Sequence, residues 1–297
     1  MKKTFFIDLD DTLMPNHHYY KIQLAKVVRL IVEEVYPGER KARTAAEDLL
    51  DVAVERGYRV PPLGQLVKTS VDDESGLLER ILAKEEEIDL RLLKRAKGRG
   101  EPYNRHRFPT SCRSTYLHFC RERGIEPDLA VAREAYAIGA KFWDIKPGLM
   151  WSAAQVLDFL VEQGDDLHIL TKGDRVVQQH KLEVNKLERW IPEENWHIVG
   201  DKDPAIFRRV SRGMDLRRVY MVGNSQKSDI NPAIETGANG IYVPFYTWIH
   251  EESDEFSVGV RDRYALDTRG ELLMLETGRK LFILPNIKDI MDLYEEL

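Results

Sequence analysis

Asp8 and Asp10 follow directly on the apolar run Phe5-Phe6-Ile7, in the segment FFIDLDDTL, with Thr12 two residues further on. Carboxylates this close repel one another unless a cation or a shared proton holds them, so the pair is a candidate metal site. In such a site one acid can serve as nucleophile and the other as general acid or base. The pattern alone is weak, because average composition yields Asp-x-Asp-x-Thr in roughly one in twenty chains of this size. It gains weight if residues 5–7 form a strand of a parallel sheet. Both acids then leave the carboxyl end of that strand, where open α/β sheets bind their ligands.

Three later apolar runs end in the same fashion. LHILT (167–171) ends on Thr171, followed by Lys172 and Gly173. WHIVG (196–200) precedes Asp201-Lys202-Asp203-Pro204, and VYMVG (219–223) precedes Asn224, Ser225, Ser228 and Asp229. In a parallel sheet all of these face one edge. Acids that hold Mg²⁺, with a lysine and a threonine for non-bridging oxygens, are what phosphoryl transfer requires, since its difficulty is charge and alignment. Mg²⁺ takes hard oxygen ligands, one or two carboxylates among them, and nothing here suggests a His or Cys cage.

The elements that must position these residues fall into three textures. Residues 1–14 give the first strand and its acidic turn; about 15–147 are mostly helical, with apolar residues at three and four spacings such as Leu24, Val27, Val28 and Ile31. Breakers separate the helices at Pro37-Gly38, Pro61 to Gly64, Gly98 to Pro102 and Pro127. From about 148 onward strands alternate with helices: a helix over about 152–163, one from Asp174 to about Arg189, one from Pro204 to about Arg212, a short one over 232–235 capped by Gly237, and a last one over about 286–296. Strands 240–244 and 280–284 complete the series. This alternation predicts an α/β fold, a doubly wound, mostly parallel Rossmann-like sheet. The first strand belongs in its middle, so residues 1–15 and 148–297 form the core and 16–147 an inserted α-helical cap over the acidic edge. Such a lid suits exclusion of water from a reaction.

Composition narrows the class. A chain of 297 residues, 43% hydrophobic and 32% charged, is comfortable as two soluble domains. A net charge of −6 favours neither nucleic acid nor an anionic membrane surface. No apolar stretch approaches a membrane span, and Asp8 cuts short the only run that resembles a leader, so a cytoplasmic protein is expected. Cys112 and Cys120 lie in one helix-like segment and are expected to be buried free thiols.

FFIDLDDTL, LHILT, the lysine of DKDPAIF and VGNSQKSDI together resemble the four ordered motifs of the haloacid dehalogenase-like superfamily, in its phosphatase branch with a helical (C1-type) cap. The resemblance anchors about 150 core residues; the cap is matched only by position and helicity. It implies that Asp8 attacks phosphorus to form an aspartyl-phosphate. Asp10 then serves as acid for the leaving oxygen and as base for the attacking water. The resemblance places Mg²⁺ among Asp8, the backbone carbonyl of Asp10, Asp229 and Asn224, and phosphoryl oxygens on Thr171 and Lys202. Dehalogenating relatives lack an acid at the position of Asp10, so the resemblance favours phosphoester chemistry. One departure stands out: the fourth motif usually begins Gly-Asp, and here it is Gly223-Asn224, which removes one anion.

Lys172 stands beside Thr171 as a further substrate contact and as a competitor of Lys202. In the cap the segment 98–111 is a basic loop whose Arg105 and Arg107 suit an anionic substrate tail. His17, His18 and Tyr19, and on the core side Tyr246 or Trp248, are candidate pocket-lining residues. The expected partner is a small phosphorylated metabolite, the expected assembly a monomer or homodimer. A phosphotransferase or mutase of the same architecture and a catalytically weak phospho-ligand sensor remain as rivals, the second supported by Asn224 alone.

Overall fold

A computed structural model describes residues 2–55, 61–100, 103–144, 146–150, 152–245 and 256–297. Tyr246 and Trp248 lie outside the described residues. The chain divides into two compact units, Met1–Pro15 with Lys146–Leu297, and Asn16–Ile145.

The first unit is built on an eight-stranded sheet in the order β3-β2-β1-β4-β5-β8-β7-β6. Its strands are β1 (Thr4–Ile7), β2 (Asp166–Lys172), β3 (Trp196–Val199), β4 (Val219–Gly223), β5 (Asn239–Tyr242), β6 (Val260–Ala265), β7 (Glu271–Leu275) and β8 (Lys280–Ile283). β1 lies between β2 and β4 and is parallel to both, with Phe6 opposite His168 and Met221. The strands from β3 to β8 are parallel neighbours; β7 and β6 add an antiparallel pair. The fold is therefore α/β with a mostly parallel sheet, as the alternation predicts.

Period-two alternation sorts the core. Phe5 and Ile7 face one apolar layer with Leu157, Leu160 and Leu182; Phe6 faces the other with Phe207 and Met221. All are buried, and each such side chain contributes roughly 1.5–3 kcal/mol.

Two local expectations need correction, and one hairpin is an addition to them. The β6–β7 hairpin was not expected, because every residue of β6 is exposed and its sequence VRDRYA carries no apolar face. Charged Arg261, Asp262 and Arg263 with a bulge near Val260 make an edge that resists pairing with another chain. The helix after Asp174 stops at Val184, not Arg189, since Asn185 Nδ2 donates to Pro147 O (2.9 Å) and Lys186 turns left-handed at φ 52°. The terminal helix shrinks to Asp289–Asp292 and one 3-10 turn, the Asp289 carboxylate accepting from Asn286 N at 3.0 Å.

The second unit is helical: α1 (Asn16–Val35), α2 (Arg40–Glu55), α3 (Leu63–Ser70), α4 (Leu77–Lys97), α5 (Arg107–Glu122) and α6 (Leu129–Asp144). α3 occupies part of a segment expected to be only a breaker; Pro62 precedes its first turn, where proline is tolerated. Leu24, Val27, Val28 and Ile31 are buried together, as their spacing predicts. Cys112 and Cys120, both on α5, are free and buried. Among the described residues no helix is long and apolar enough to cross a membrane.

Candidate active site

The core unit continues with α7 (Ala153–Glu162), α8 (Arg175–Val184), α9 (Pro204–Val210), α10 (Asn231–Thr236) and α11 (Asp289–Asp292). Asp8 leaves β1 with its amide still donating to Val222 O of β4 at 2.9 Å, so its position is fixed by the sheet. Behind it the chain turns tightly: Leu9 O accepts from both Leu13 N and Met14 N at 3.0 Å. Asp11 adopts φ 62° in that turn, a left-handed conformation that Asp tolerates better than most residues. Asp10 is carried on the same turn, half-buried.

Thr171, on β2, is 1% exposed. Lys202 follows β3, its amide donating to Asp201 Oδ1 at 3.0 Å, while Asp203 caps α9 by accepting from Ile206 N at 2.7 Å. After β4, Gly223 allows a close approach: a Cβ there would lie 2.3 Å from Asp229 Oδ2. The Asp229 carboxylate packs against that backbone and accepts from Ser225 N at 3.0 Å.

These ends converge. The Lys202 ammonium donates to Asp8 Oδ1 and, at 2.5 Å, to Asp229 Oδ1. All three side chains are nearly sealed from solvent. Burial alone would lower the lysine pKa; Asp229 and Asp8 outweigh it and hold the group above its usual value. Asp8 goes the other way. Burial pushes its carboxyl up, Lys202 draws it back, and Asp229 and Asp10 push it up again, leaving it well above the ordinary carboxylate range. Thr12 Oγ1 lies 3.4 Å from Asn224 Oδ1 and 3.5 Å from Asp8 Oδ2, which puts Asn224 beside the same acid.

A second lysine meets the remaining carboxylate. Lys181 Nζ donates to Asp10 Oδ1 at 2.7 Å, and Gln178 Nε2 donates to Asp10 Oδ2 and to Thr171 Oγ1, each at 2.9 Å. Sequence reasoning missed both residues because they sit on a helix face and not at a strand end. Their signal is the spacing from the N-cap: Asp174, Gln178 and Lys181 fall on one side of α8.

The residues present suit Mg²⁺. Among the described residues no three His, Cys, Asp or Glu side chains form a ready cage. What the site offers is two buried carboxylates, Asp8 and Asp229, with the Asn224 amide oxygen and backbone carbonyls. That is the hard-oxygen, carboxylate-poor set Mg²⁺ accepts, completing its shell with water. The upward shift of Asp8 comes chiefly from burial, with Asp229 and Asp10 adding to it, and a cation would offset both.

The other expected contacts are placed differently. Lys172 Nζ donates to Ser228 Oγ at 2.5 Å, joining the end of β2 to the turn after β4. In the helical unit the supposed loop 98–111 ends at His106, and Arg107–Ser111 form the first turn of α5. Arg107 Nε lies 3.3 Å from Asp89 Oδ1, and its side chain is only 15% exposed, so it is committed to a buried acid and not displayed as a fork. Arg105 is exposed. His17 is buried and His18 half-buried in the first turn of α1.

No protein-family model matches the sequence, and no curated protein does either. Solved structures do. A haloacid dehalogenase-like family hydrolase from Xanthomonas campestris is similar with a TM-score of 0.51 at 19% identity, covering 86% of this chain and 87% of that one. An L-2-haloacid dehalogenase from Xanthobacter autotrophicus (TM-score 0.44, 14% identity, 100% of both chains) and a protein from Thermotoga maritima described as a putative β-phosphoglucomutase (0.48, 12%, 100% of both) are also similar. The strand order, the inserted helices and the first of these similarities agree: the chain has the haloacid dehalogenase-like fold.

Proposed function

We propose that this protein is a Mg²⁺-dependent phosphatase that hydrolyses a small-molecule phosphate monoester through an aspartyl-phosphate on Asp8. The observation that carries the reading is the second acid: Asp10 stands on the turn leaving Asp8, with each carboxylate oxygen held by a donor. Expelling an alkoxide requires a proton, whereas expelling a halide does not.

In the first step an Asp8 oxygen attacks phosphorus, the bond to the ester oxygen breaks, and Asp10 delivers a proton to that oxygen. In the second, water attacks the phosphorus of the aspartyl-phosphate, Asp10 takes a proton from the water, and the bond to Asp8 breaks to release phosphate. Lys202 keeps Asp8 and Asp229 from repelling one another and offers positive charge to the transferring oxygens. The Thr171 hydroxyl, which accepts from Gln178, retains its own proton for a phosphoryl oxygen. Asp8, Asp229, Asn224 and the Asp10 carbonyl would hold Mg²⁺, which when bound would supply further positive charge for those oxygens. Lys172, at the end of β2, serves as a contact for the anionic substrate.

The test is phosphate release by the purified protein with Mg²⁺, across p-nitrophenyl phosphate and a panel of metabolite monoesters, beside Asp8→Asn. Release that disappears in the variant and after EDTA, and returns with Mg²⁺, is the expected result. Release that survives Asp8→Asn contradicts the nucleophile. Absence of release from every ester turns attention to Asn224, whose reversion to Asp separates a weak site from a non-catalytic one.

A further inference from the structure

We propose that Lys181 and Gln178 are positioning residues that fix the plane of the Asp10 carboxylate, and that Gln178 ties this acid to Thr171. This rests on the phosphatase reading above, in which Asp10 transfers the proton.

Asp10 alone is poorly constrained. It sits on a turn, and its side chain is 23% exposed, unlike the sealed Asp8 and Asp229. A carboxylate on a turn rotates freely unless both oxygens are held, and here they are held by different groups. Lys181 holds Oδ1 and Gln178 holds Oδ2, from consecutive turns of α8. Two donors on two oxygens define the plane of the group, which one donor does not.

The helix that carries them is itself anchored. Asp174 caps it, accepting from Val176 N at 3.0 Å and Val177 N at 3.4 Å. Gln178 Nε2 also lies 3.1 Å from Lys172 O, and the missing Cβ of Gly173 leaves room for it: an added Cβ would sit 3.0 Å from Gln178 Cγ. One amide thus reaches the turn after β1 and the end of β2, with Asp10 and Thr171 as its two side-chain partners at the same 2.9 Å distance. A shift of either partner moves the other.

Stability does not explain this arrangement. Lys181 is 6% exposed and Gln178 2% exposed, and burying an ammonium costs as much as its ion pair returns; apolar residues of similar volume would fill the space as well. What apolar residues would not do is orient an acid.

A leaving-group experiment tests the proposal. Lys181→Met keeps the length of the side chain and removes the charge. It is expected to lower kcat/KM, which reports the transfer to Asp8 and not the later hydrolysis, for an alkyl phosphate such as glycerol 3-phosphate by about tenfold to a hundredfold, while kcat/KM for p-nitrophenyl phosphate, whose leaving group needs little protonation, falls no more than about threefold. Lys181→Arg restores part of the alkyl-ester rate. Because Lys181 acts through Asp10, the double variant Asp10→Asn/Lys181→Met is expected to be no slower than Asp10→Asn alone. Equal losses on both esters, or additive losses in the double variant, overturn the proposal. If the wild-type protein releases phosphate from neither ester, it is the phosphatase reading that fails. The pairing is then read from thermal unfolding of the same variants. A double variant no less stable than its weaker parent supports coupling, and additive destabilisation contradicts it. Gln178→Met, read on the same two esters, provides a second variant should Lys181→Met fail to fold, with the same split expected.

Discussion

Each unit of this protein buries a small cluster of acids with one cation, and the two clusters place that cation differently. In the core unit Lys202 touches both Asp8 and Asp229, so the charges are balanced by an ammonium and the acids remain available to a further cation. In the helical unit Arg107 reaches Asp89, while the buried Glu85 accepts from the hydroxyls of Tyr20, at 3.2 Å, and Ser111. Ser111 Oγ also lies 2.8 Å from Phe108 O. The Ser111 hydroxyl can therefore donate to either Glu85 Oε1 or Phe108 O, and Tyr20 donates to Glu85 Oε2. Burial, with Asp89 adding to it, pushes the Glu85 carboxyl up to about 8, in agreement with a neutral acid. At Asp8 the burial that raises the carboxyl is opposed first by a shared ammonium, whereas at Glu85 it is opposed first by the hydroxyls of Ser111 and Tyr20. The difference teaches that burial of carboxylates alone marks no active site. The discriminating feature is a cation shared between acids.

The largest effects expected are on the core cluster. Asp8→Asn should reduce turnover by at least about 10⁴-fold with the fold intact, checked by phosphate release and circular dichroism. Lys202→Met should be comparably inactive and also unstable, since removing one partner from buried charges costs about 3–5 kcal/mol. Its loss should shrink at low pH, where Asp8 protonates and no longer needs the ammonium; denaturant titration at two pH values checks this. Arg107→Met should cost stability in the same way but leave catalytic constants per folded molecule within about threefold. A large kcat loss there would make the helical cluster part of the reaction after all.

A smaller effect isolates Glu85. Its folded value lies above the unfolded value of 4.5, so its contribution to stability is fully present below pH 4.5 and is lost as pH rises toward 8. Glu85→Gln removes the titration and keeps an acceptor oxygen for one of the two hydroxyls. It should match the wild type at low pH and exceed its stability by at least about 1 kcal/mol above pH 8. Thermal melts across pH check it, and a variant no more stable in alkali would mean Glu85 is charged. Smallest is the metal effect: Mg²⁺ should raise the wild-type Tm by a few degrees and leave Asp229→Asn unmoved.

The sequence made the strand-end residues legible because a parallel sheet sends every strand's carboxyl end to one edge, so Asp8, Thr171, Lys202 and Asp229 needed only their strands to be found. Gln178 and Lys181 were not legible, since a helix turns polar residues inward only where tertiary partners await them. β6 escaped for a related reason, its charged, exposed residues offering no periodicity to read. Arg107 was misplaced because a basic residue near a breaker looks the same whether it faces solvent or a buried Asp89.

The most direct test of the nucleophile is to look for the covalent intermediate itself. Asp10→Asn, incubated with p-nitrophenyl phosphate and Mg²⁺ and quenched in acid, should carry one phosphoryl group on the peptide containing Asp8, because the base for hydrolysis is gone. The same label should be absent from Asp8→Asn. Phosphate transferred to another residue, or released by Asp8→Asn without any label, would contradict an aspartyl-phosphate on Asp8.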